Sequence, residues 1–190
     1  MSKRCSWANY SELMKKYHDE EWGLPVHNDK LLFEQLVLQG AQAGLSWITI
    51  LKKRENYRKA FDNFNFNKIA TYDEKKVQEL LNNKGIVRNE LKIRSAINNA
   101  KIFLKIREEY GSFNEYIWNF VNNKPIQNHW NALEEIPGKT ELSKRISKEM
   151  KKIGFSFIGP TIMYAYMQAV GMVNDHLTYC YRYSELKDTG

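Results

Sequence analysis

The chain has 190 residues, 43% hydrophobic and 27% charged, which gives it enough apolar surface for a folded core and sets it apart from disordered segments. No apolar run approaches the length of a membrane span and the N-terminus lacks a signal peptide's apolar centre, so the expected location is cytoplasmic, with no membrane partner. Lys plus Arg outnumber Asp plus Glu by 29 to 22, a net charge of +7, which suits an anionic partner, most simply nucleic acid, and about equally a basic enzyme with a merely soluble surface.

There is no internal repeat, no low-complexity tract and no strand-like alternation of any length. The expected fold class is all-α, as a single domain over residues 1–190. Residues 6–25 hold Trp7, Tyr10, Tyr17, Trp22 and Pro25 among charges and predict an aromatic-rich lead-in with one short helix. Asp29 is the predicted N-cap of a helix through Leu32, Phe33, Leu36 and Val37, which loosens at Gly40 and Gly44. Ser46 caps the next, whose stripe is Trp47, Ile50, Leu51, Tyr57 and Phe61. Asp73 caps a short helix with Val77, Leu80 and Leu81. Residues 89–110 form the longest helix, with Ile93, Ile97, Ala100 and Leu104 on one face and Gly111 as its stop. Ser112-x-x-Glu115 is a capping box for a helix with Phe113, Ile117 and Phe120. Residues 122–139 read as one long connection, rich in Asn and Pro.

From about Glu141 a helix with Leu142, Ile146 and Met150 inward runs to a tight apolar hairpin, residues 154–159, with Gly at both ends. Gly159-Pro160 opens the next helix, since Pro suits a first helical position. Its stripe is Ile162, Ala165, Tyr166 and Ala169, and it ends at Gly171. This is the pattern of a helix-hairpin-helix whose amides approach DNA phosphates. Gly154, Phe155, Gly159, Lys151 and Lys152 are therefore candidate DNA-binding positions, although a Lys pair is most often a plain solvated face. The charged tail after Cys180 reads as frayed.

The two cysteines, Cys5 and Cys180, stand at opposite ends, each with a histidine nearby, His18 and His176. Two Cys and two His suit a tetrahedral zinc with no open position, hence a structural one. The spacing of thirteen from Cys5 to His18 is too wide for a zinc-finger signature, so this reading rests on residue pairing and leaves a disulfide open, one that a reducing cytoplasm disfavours. The stretch Gln39-Gly-Ala-Gln-Ala-Gly-Leu-Ser-Trp47 sets two glutamines and two glycines between apolar helices, as a pocket wall or as an ordinary helix connection. Trp7, Tyr17, Trp22 and Trp47 flank polar or Gly-rich positions, as residues that hold an unstacked base do, whereas Phe33, Phe61 and Phe103 belong to a core. His27 and His129 have no evident partner.

Taken together, Cys5-x-Trp7, Tyr17-His18-Asp19-x-Glu21-Trp22-Gly23, Gln42-Ala43-Gly44-Leu45-Ser46-Trp47-Ile48-Thr49, Leu51-Lys52-Lys53-Arg54-Glu55-Asn56-Tyr57-Arg58, Gly154-Phe155-x-Phe157, Met167-Gln168-Ala169 and Val173-Asn174-Asp175-His176 resemble the 3-methyladenine DNA glycosylase I family, from Cys5 to Cys180. The resemblance implies a helix-hairpin-helix glycosylase that flips 3-methyladenine out of alkylated double-stranded DNA and releases the free base. It implies one zinc on Cys5, His18, His176 and Cys180, joining segments 1–28 and 172–190 to a helical core over about 29–171. It implies base stacking on Trp47, a pocket lined by Trp7, Tyr17 and Trp22, and a phenol of Tyr17 facing the base edge. Leu45 is the candidate wedge for the gap in the duplex, its alternative being a core leucine.

One position departs from the family pattern. Where these enzymes carry Leu-Glu-Gly, the chain has Leu38-Gln39-Gly40, by natural variation or deliberate substitution. A glutamine offers an NH₂ donor and no charge, so base binding and activity are expected to be weakened at this candidate catalytic residue, with Tyr17 as the other. A non-catalytic lesion-binding module is the alternative. The first turn after the hairpin, Pro160-Thr161-Ile162, has no Lys, which points to a glycosylase without lyase chemistry, and a monomer is the default for a protein that scans DNA. Asn174 stands near the place of an Asp found in many such enzymes, and Asp175 is the candidate partner of a zinc ligand.

Overall fold

The computed structural model describes residues 3–187. It is mostly helical, with elements in the order α1 (Glu12–Glu20), α2 (Asp29–Gln42), α3 (Trp47–Ala60), α4 (Phe66–Ile69), α5 (Glu74–Asn82), α6 (Glu90–Tyr110), α7 (Phe113–Trp118), a short strand β1 (Ile126–Gln127), α8 (Glu141–Lys152), α9 (Pro160–Ala169), β2 (Val173–Asn174) and α10 (Tyr181–Glu185). None of these helices is long and apolar enough to cross a membrane. The expectation of no strands is corrected by β1 and β2, which pair in parallel with Ile126 opposite Val173 and Gln127 opposite Asn174. Two residues are too few to leave an alternation in the sequence.

Two expected caps form, while Ser46 stands at the cap of α3 without capping it, its hydroxyl meeting that of Thr49 at 2.8 Å instead, and the Ser112 box forms only its serine half. Asp73 accepts from the Lys76 amide at 2.9 Å and Ser112 from that of Glu115 at 3.0 Å, as expected. At α2 the cap is Asn28, whose side chain accepts from the amides of Lys30 and Leu31. Asp29 is the first helical residue, and its carboxylate is claimed elsewhere: Arg107 Nε donates to it at 2.7 Å, and the amides of Phe113 and Asn114 at 3.2 and 2.9 Å. Asp29 thus ties α2 to α6 and serves the N-terminus of α7. The tail after Cys180 forms α10 rather than fraying; its last residues, 188–190, lie outside the described residues. His27 and His129 are partnered, with Asn114 at 2.8 Å and the Tyr183 hydroxyl at 3.0 Å.

The main core runs through α2, α6, α7, α8 and α9 and contains Phe33, Phe61 and Phe103, all buried. A smaller buried cluster holds Cys5, Tyr17, Trp22, Leu51, Leu177 and Cys180, with Trp7, Met14, Trp47, Leu133 and Ile136 packed against it. It brings the two ends of the chain together. The segment 23–26 threads across the end of α9, with Gly23 N–H donating to the Gln168 carbonyl at 3.1 Å and Val26 N–H to the Val170 carbonyl at 3.0 Å. This crossing requires a glycine at 171. Its φ is +73°, and a Cβ there would lie 2.4 Å from the Leu24 carbonyl carbon and 2.5 Å from the Pro25 nitrogen, against backbone that cannot yield. Gly171→Ala is predicted to destabilise the fold by roughly 3 kcal/mol or more, read as a drop in the denaturant midpoint, because strain and overlap add.

Candidate active site

One cavity of about 380 Å³ collects most of the expected site residues. Trp7, Tyr17, Trp22, Gln39 and Trp47 line it, joined by Met14, Gln42, Leu133, Ile136, Ala165 and Gln168. The size lies in the range for sites that enclose a small flat ligand. The elements each contribute one wall. α1 supplies Met14 and Tyr17, three residues apart on one face; the C-terminal half of α2 supplies Gln39 and Gln42; α3 begins with Trp47; α9 presents Ala165 and Gln168, again three apart.

The rings stand in a fixed arrangement. Tyr17 and Trp47 are 5.3 Å apart between centroids and tilted by 47°; Trp7 and Trp22 meet edge-on at 5.0 Å. Burial pushes the Tyr17 phenol well above its ordinary pKa, so it remains protonated and able to donate. Gln39 is 4% exposed, and neither it nor Gln42 has a side-chain hydrogen bond to protein among the described residues. No charged side chain lines the cavity. A buried ion cluster binds α2 and α3 to the end of α1: Arg54 Nε donates to Glu34 at 2.5 Å, Arg54 Nη1 to Glu21 at 2.6 Å and Arg58 Nη2 to Glu34 at 2.8 Å.

Sequence reasoning missed Leu133, Ile136 and the part played by Gln168. The first two come from the long polar connection, where an apolar pair spaced by three was the only available signal. Gln168 stands in Met167-Gln168-Ala169, where nothing in the residue pattern marks it for the cavity.

Leu45 is 41% exposed at the tip of the turn between α2 and α3, so it is not a core leucine. It borders a second cavity of about 210 Å³ with Gly44, Thr161, Ile162 and Ala165, which places the turn beside the start of α9 and next to the base-sized cavity through Gln39 and Gln42. The turn is held from below. Lys92 Nζ donates to the carbonyls of Ala41 at 2.9 Å and Ala43 at 2.6 Å, capping the C-terminus of α2, and desolvation lowers its pKa. The hairpin after α8 is clamped by α6: Asn99 donates to the Ser156 carbonyl and accepts from its amide, both at 2.9 Å, and Asn98 donates to the Gly154 carbonyl at 2.9 Å. The amide of Gly159, a part-exposed residue, meets no protein acceptor among the described residues, whereas Ile158 is fully buried. The Phe155 side chain is buried against Phe113 and its amide donates to the Met150 carbonyl at 3.1 Å, so the expected DNA-binding role of Phe155 is corrected to a core one. Lys151 and Lys152 are exposed on the last turn of α8, with Lys152 paired to Glu149 at 2.9 Å.

Beside the cavity, Cys5, His18, His176 and Cys180 are all buried, with their ligand atoms within 4.8 Å of one another. Cys180 Sγ lies 3.4 Å from His18 Nε2 and 3.6 Å from His176 Nδ1, and Cys5 Sγ lies 3.7 Å from His176 Nδ1. A tetrahedral zinc with ordinary Zn–S and Zn–N bonds sets such S···N edges at about 3.6 Å, so the donor set fits. The other ring nitrogens are used: His18 Nδ1 meets Asp19 at 2.8 Å, and His176 Nε2 donates to the Trp22 carbonyl at 3.0 Å. Arg4 in turn donates to both Asp19 oxygens at 2.9 Å. Asp175 is not the expected partner of a metal ligand, for its four bonds go to Asn128, Trp130, Tyr164 and Gln168. Asn174 lies away from the cavity, holding Gln127 and the Tyr183 carbonyl. Gly23 sits under the His176 ring, where a Cβ would come within 3.0 Å of Nε2 at a φ of +82°.

A helical fold with an aromatic cavity, and an exposed leucine turn beside a free-amide hairpin, has the form of an enzyme that acts on an everted base. The sequence profile of the methyladenine glycosylase family matches residues 7–183, and the chain belongs to that family. It is 46% identical over 180 residues to the DNA-3-methyladenine glycosylase of Haemophilus influenzae, covering 95% of this chain and 97% of the relative. A tyrosine-to-phenylalanine variant of 3-methyladenine DNA glycosylase I in complex with 3-methyladenine superposes with a TM-score of 0.91 at 33% identity, over 94% of this chain and 96% of that one. A glutamate-to-glutamine mutant of the Staphylococcus aureus enzyme superposes with a TM-score of 0.90 at 34% identity, with the same coverage of both chains.

The Lys92 clamp makes one prediction. Lys92→Met frees the Leu45 turn without touching the cavity, so base release from duplex DNA should fall about tenfold while binding of a free base stays within twofold. Single-turnover release and equilibrium binding, measured side by side, check it.

Proposed function

We propose that the chain releases 3-methyladenine from alkylated double-stranded DNA by hydrolysing the N-glycosidic bond, as a monofunctional glycosylase of base-excision repair. The observation that carries this reading is the convergence of Trp7, Tyr17, Trp22, Gln39 and Trp47 on one base-sized cavity. A base within a duplex is out of reach, so the nucleotide is everted at a cost of a few kcal/mol. In this reading Leu45 fills the gap left in the stack. The helix-hairpin-helix formed by α8, residues 153–159 and α9 grips the backbone through the amide of Gly159, with Lys151 and Lys152 close to phosphates.

The chemistry asks little of acid catalysis. 3-Methyladenine in DNA is a cation, and the ring faces of Trp47 and Tyr17 favour it over neutral adenine. As the C1′–N9 bond breaks, its electron pair passes to the base and cancels the charge. The oxygen of a water then bonds to C1′ and sheds its proton to solvent. Without a lysine in the first turn of α9 there is no amine for a Schiff base. The protein works as a monomer in the cytoplasm, as one domain.

One structural zinc on Cys5 Sγ, His18 Nε2, His176 Nδ1 and Cys180 Sγ belongs to the same proposal. It supplies no catalytic step; it cross-links residues 1–28 to 172–190 and sets the histidine rings against Trp7 and Trp22. Metal analysis should return one zinc per chain. Stripping it with a chelator under reducing conditions should lower Tm by roughly 10 °C or more. Retention of the full Tm by metal-free protein would count against a structural role.

The neutral Gln39 favours a second reading, a lesion-binding module that does not cleave. Release of free base from methylated DNA separates the two. The chain should release 3-methyladenine slowly, and Gln39→Glu should raise the single-turnover rate about tenfold, since it restores an acceptor-only anion. Tight binding with no release by either protein would establish the module, and release without any gain in Gln39→Glu would refute the role assigned to position 39.

A further inference from the structure

We propose that Asp175, acting through Gln168, gives the cavity a fixed hydrogen-bond acceptor, and so selects a purine with an amino group rather than a carbonyl at the ring carbon that faces it. The proposal deepens the glycosylase reading and rests on it. Asp175 is a buried carboxylate with four donors: Asn128 Nδ2 at 2.7 Å and Trp130 Nε1 at 2.9 Å on one oxygen, the Tyr164 hydroxyl at 2.5 Å and Gln168 Nε2 at 2.8 Å on the other. The indole N–H can only donate, and the four bonds use the full acceptor capacity of a carboxylate. All four partners are neutral, and among the described residues no Lys, Arg or His forms an ion pair with it. The other buried carboxylate near the site, Glu34, is matched by Arg54 and Arg58.

Gln168 transmits the hold of Asp175 to the cavity. A carboxylate oxygen has no hydrogen to give, so the Gln168 NH₂ must face Asp175, and the reversed amide would set oxygen against oxygen. Its Oε1 is left with no protein donor at the cavity wall, where Gln168 stands beside Ala165. Gln39 and Gln42 differ, since nothing in the protein fixes which end of either amide faces the cavity. Of the three amides, only Gln168 presents its carbonyl by construction. Polarised by the carboxylate behind it, that oxygen accepts from an amino group and repels a carbonyl at the same place on the base.

The test uses two free bases, 3-methyladenine and 3-methylguanine, which carry an amino group and a carbonyl at the same ring carbon. Binding is read from quenching of the cavity tryptophans in the full-length protein, with a thermal melt for each variant. Gln168→Met should weaken 3-methyladenine about tenfold and leave 3-methylguanine within twofold, so the ratio between them falls. Asp175→Asn, which lets the Gln168 amide turn over, should move the ratio the same way; if it fails to fold, Gln168→Met alone decides. An equal loss on both bases, or no loss on either, would show a purely structural link and overturn the inference. Wild-type protein that binds neither base would instead sink the glycosylase reading itself.

Discussion

The site depends on a buried clasp between the two ends of the chain. Cys5 and His18 meet His176 and Cys180 in one cluster, and the histidine rings form part of the wall on which the cavity aromatics lean. Trp7 packs edge-on against His18 at 5.2 Å, Trp22 against His176 at 4.6 Å, and the Trp22 carbonyl takes the His176 Nε2 proton. Neither tryptophan belongs to the main helical core; both pack in the smaller terminal cluster. Were the ends released, Trp7 and Trp22 would lose their backing, while α2, α3 and α9 would keep theirs. The clasp therefore governs the shape of half the cavity and contributes nothing to its chemistry.

The cavity is built for recognition by faces and edges. Its aromatic walls offer π surface, which attracts a flat cation more than the same ring uncharged. Its polar groups are amides and a phenol kept protonated by burial. Among the described residues no charged side chain lines it, and behind the wall Asp175 fixes the amide of Gln168. The scaffold holds these groups still at several points: the Glu34 ion cluster under α2 and α3, Lys92 under the Leu45 turn, and Asn98 and Asn99 on the hairpin. Rigid placement matters here because the substrate's own charge already weakens the bond to be broken, and what remains is to bring the base out and orient it.

Much of this was legible in the residues. Helix faces, the caps at Asp73 and Ser112, the Gly-bracketed hairpin and the convergence of Trp7, Tyr17, Trp22, Gln39 and Trp47 follow from spacing, side-chain chemistry and family resemblance. What escaped depended on tertiary choice. Asn28 and Asp29 can each cap a helix, and only the approach of Arg107 and α7 decides between them. Leu133 and Ile136 sit in a connection whose composition looks like solvent-exposed loop. The pair Asp175 and Gln168 is separated by the turn at Gly171, and neither residue alone announces that one fixes the amide of the other.

The central claim is that the cavity between α1, α2, α3 and α9 receives the base. A crystal structure of the protein grown with 3-methyladenine tests it most directly. The account predicts the ring on Trp47 between Tyr17 and Trp22, with its amino group turned toward the amides of Gln39 and Gln168. A ring bound elsewhere, or a cavity closed over its own side chains under saturating base, would contradict it.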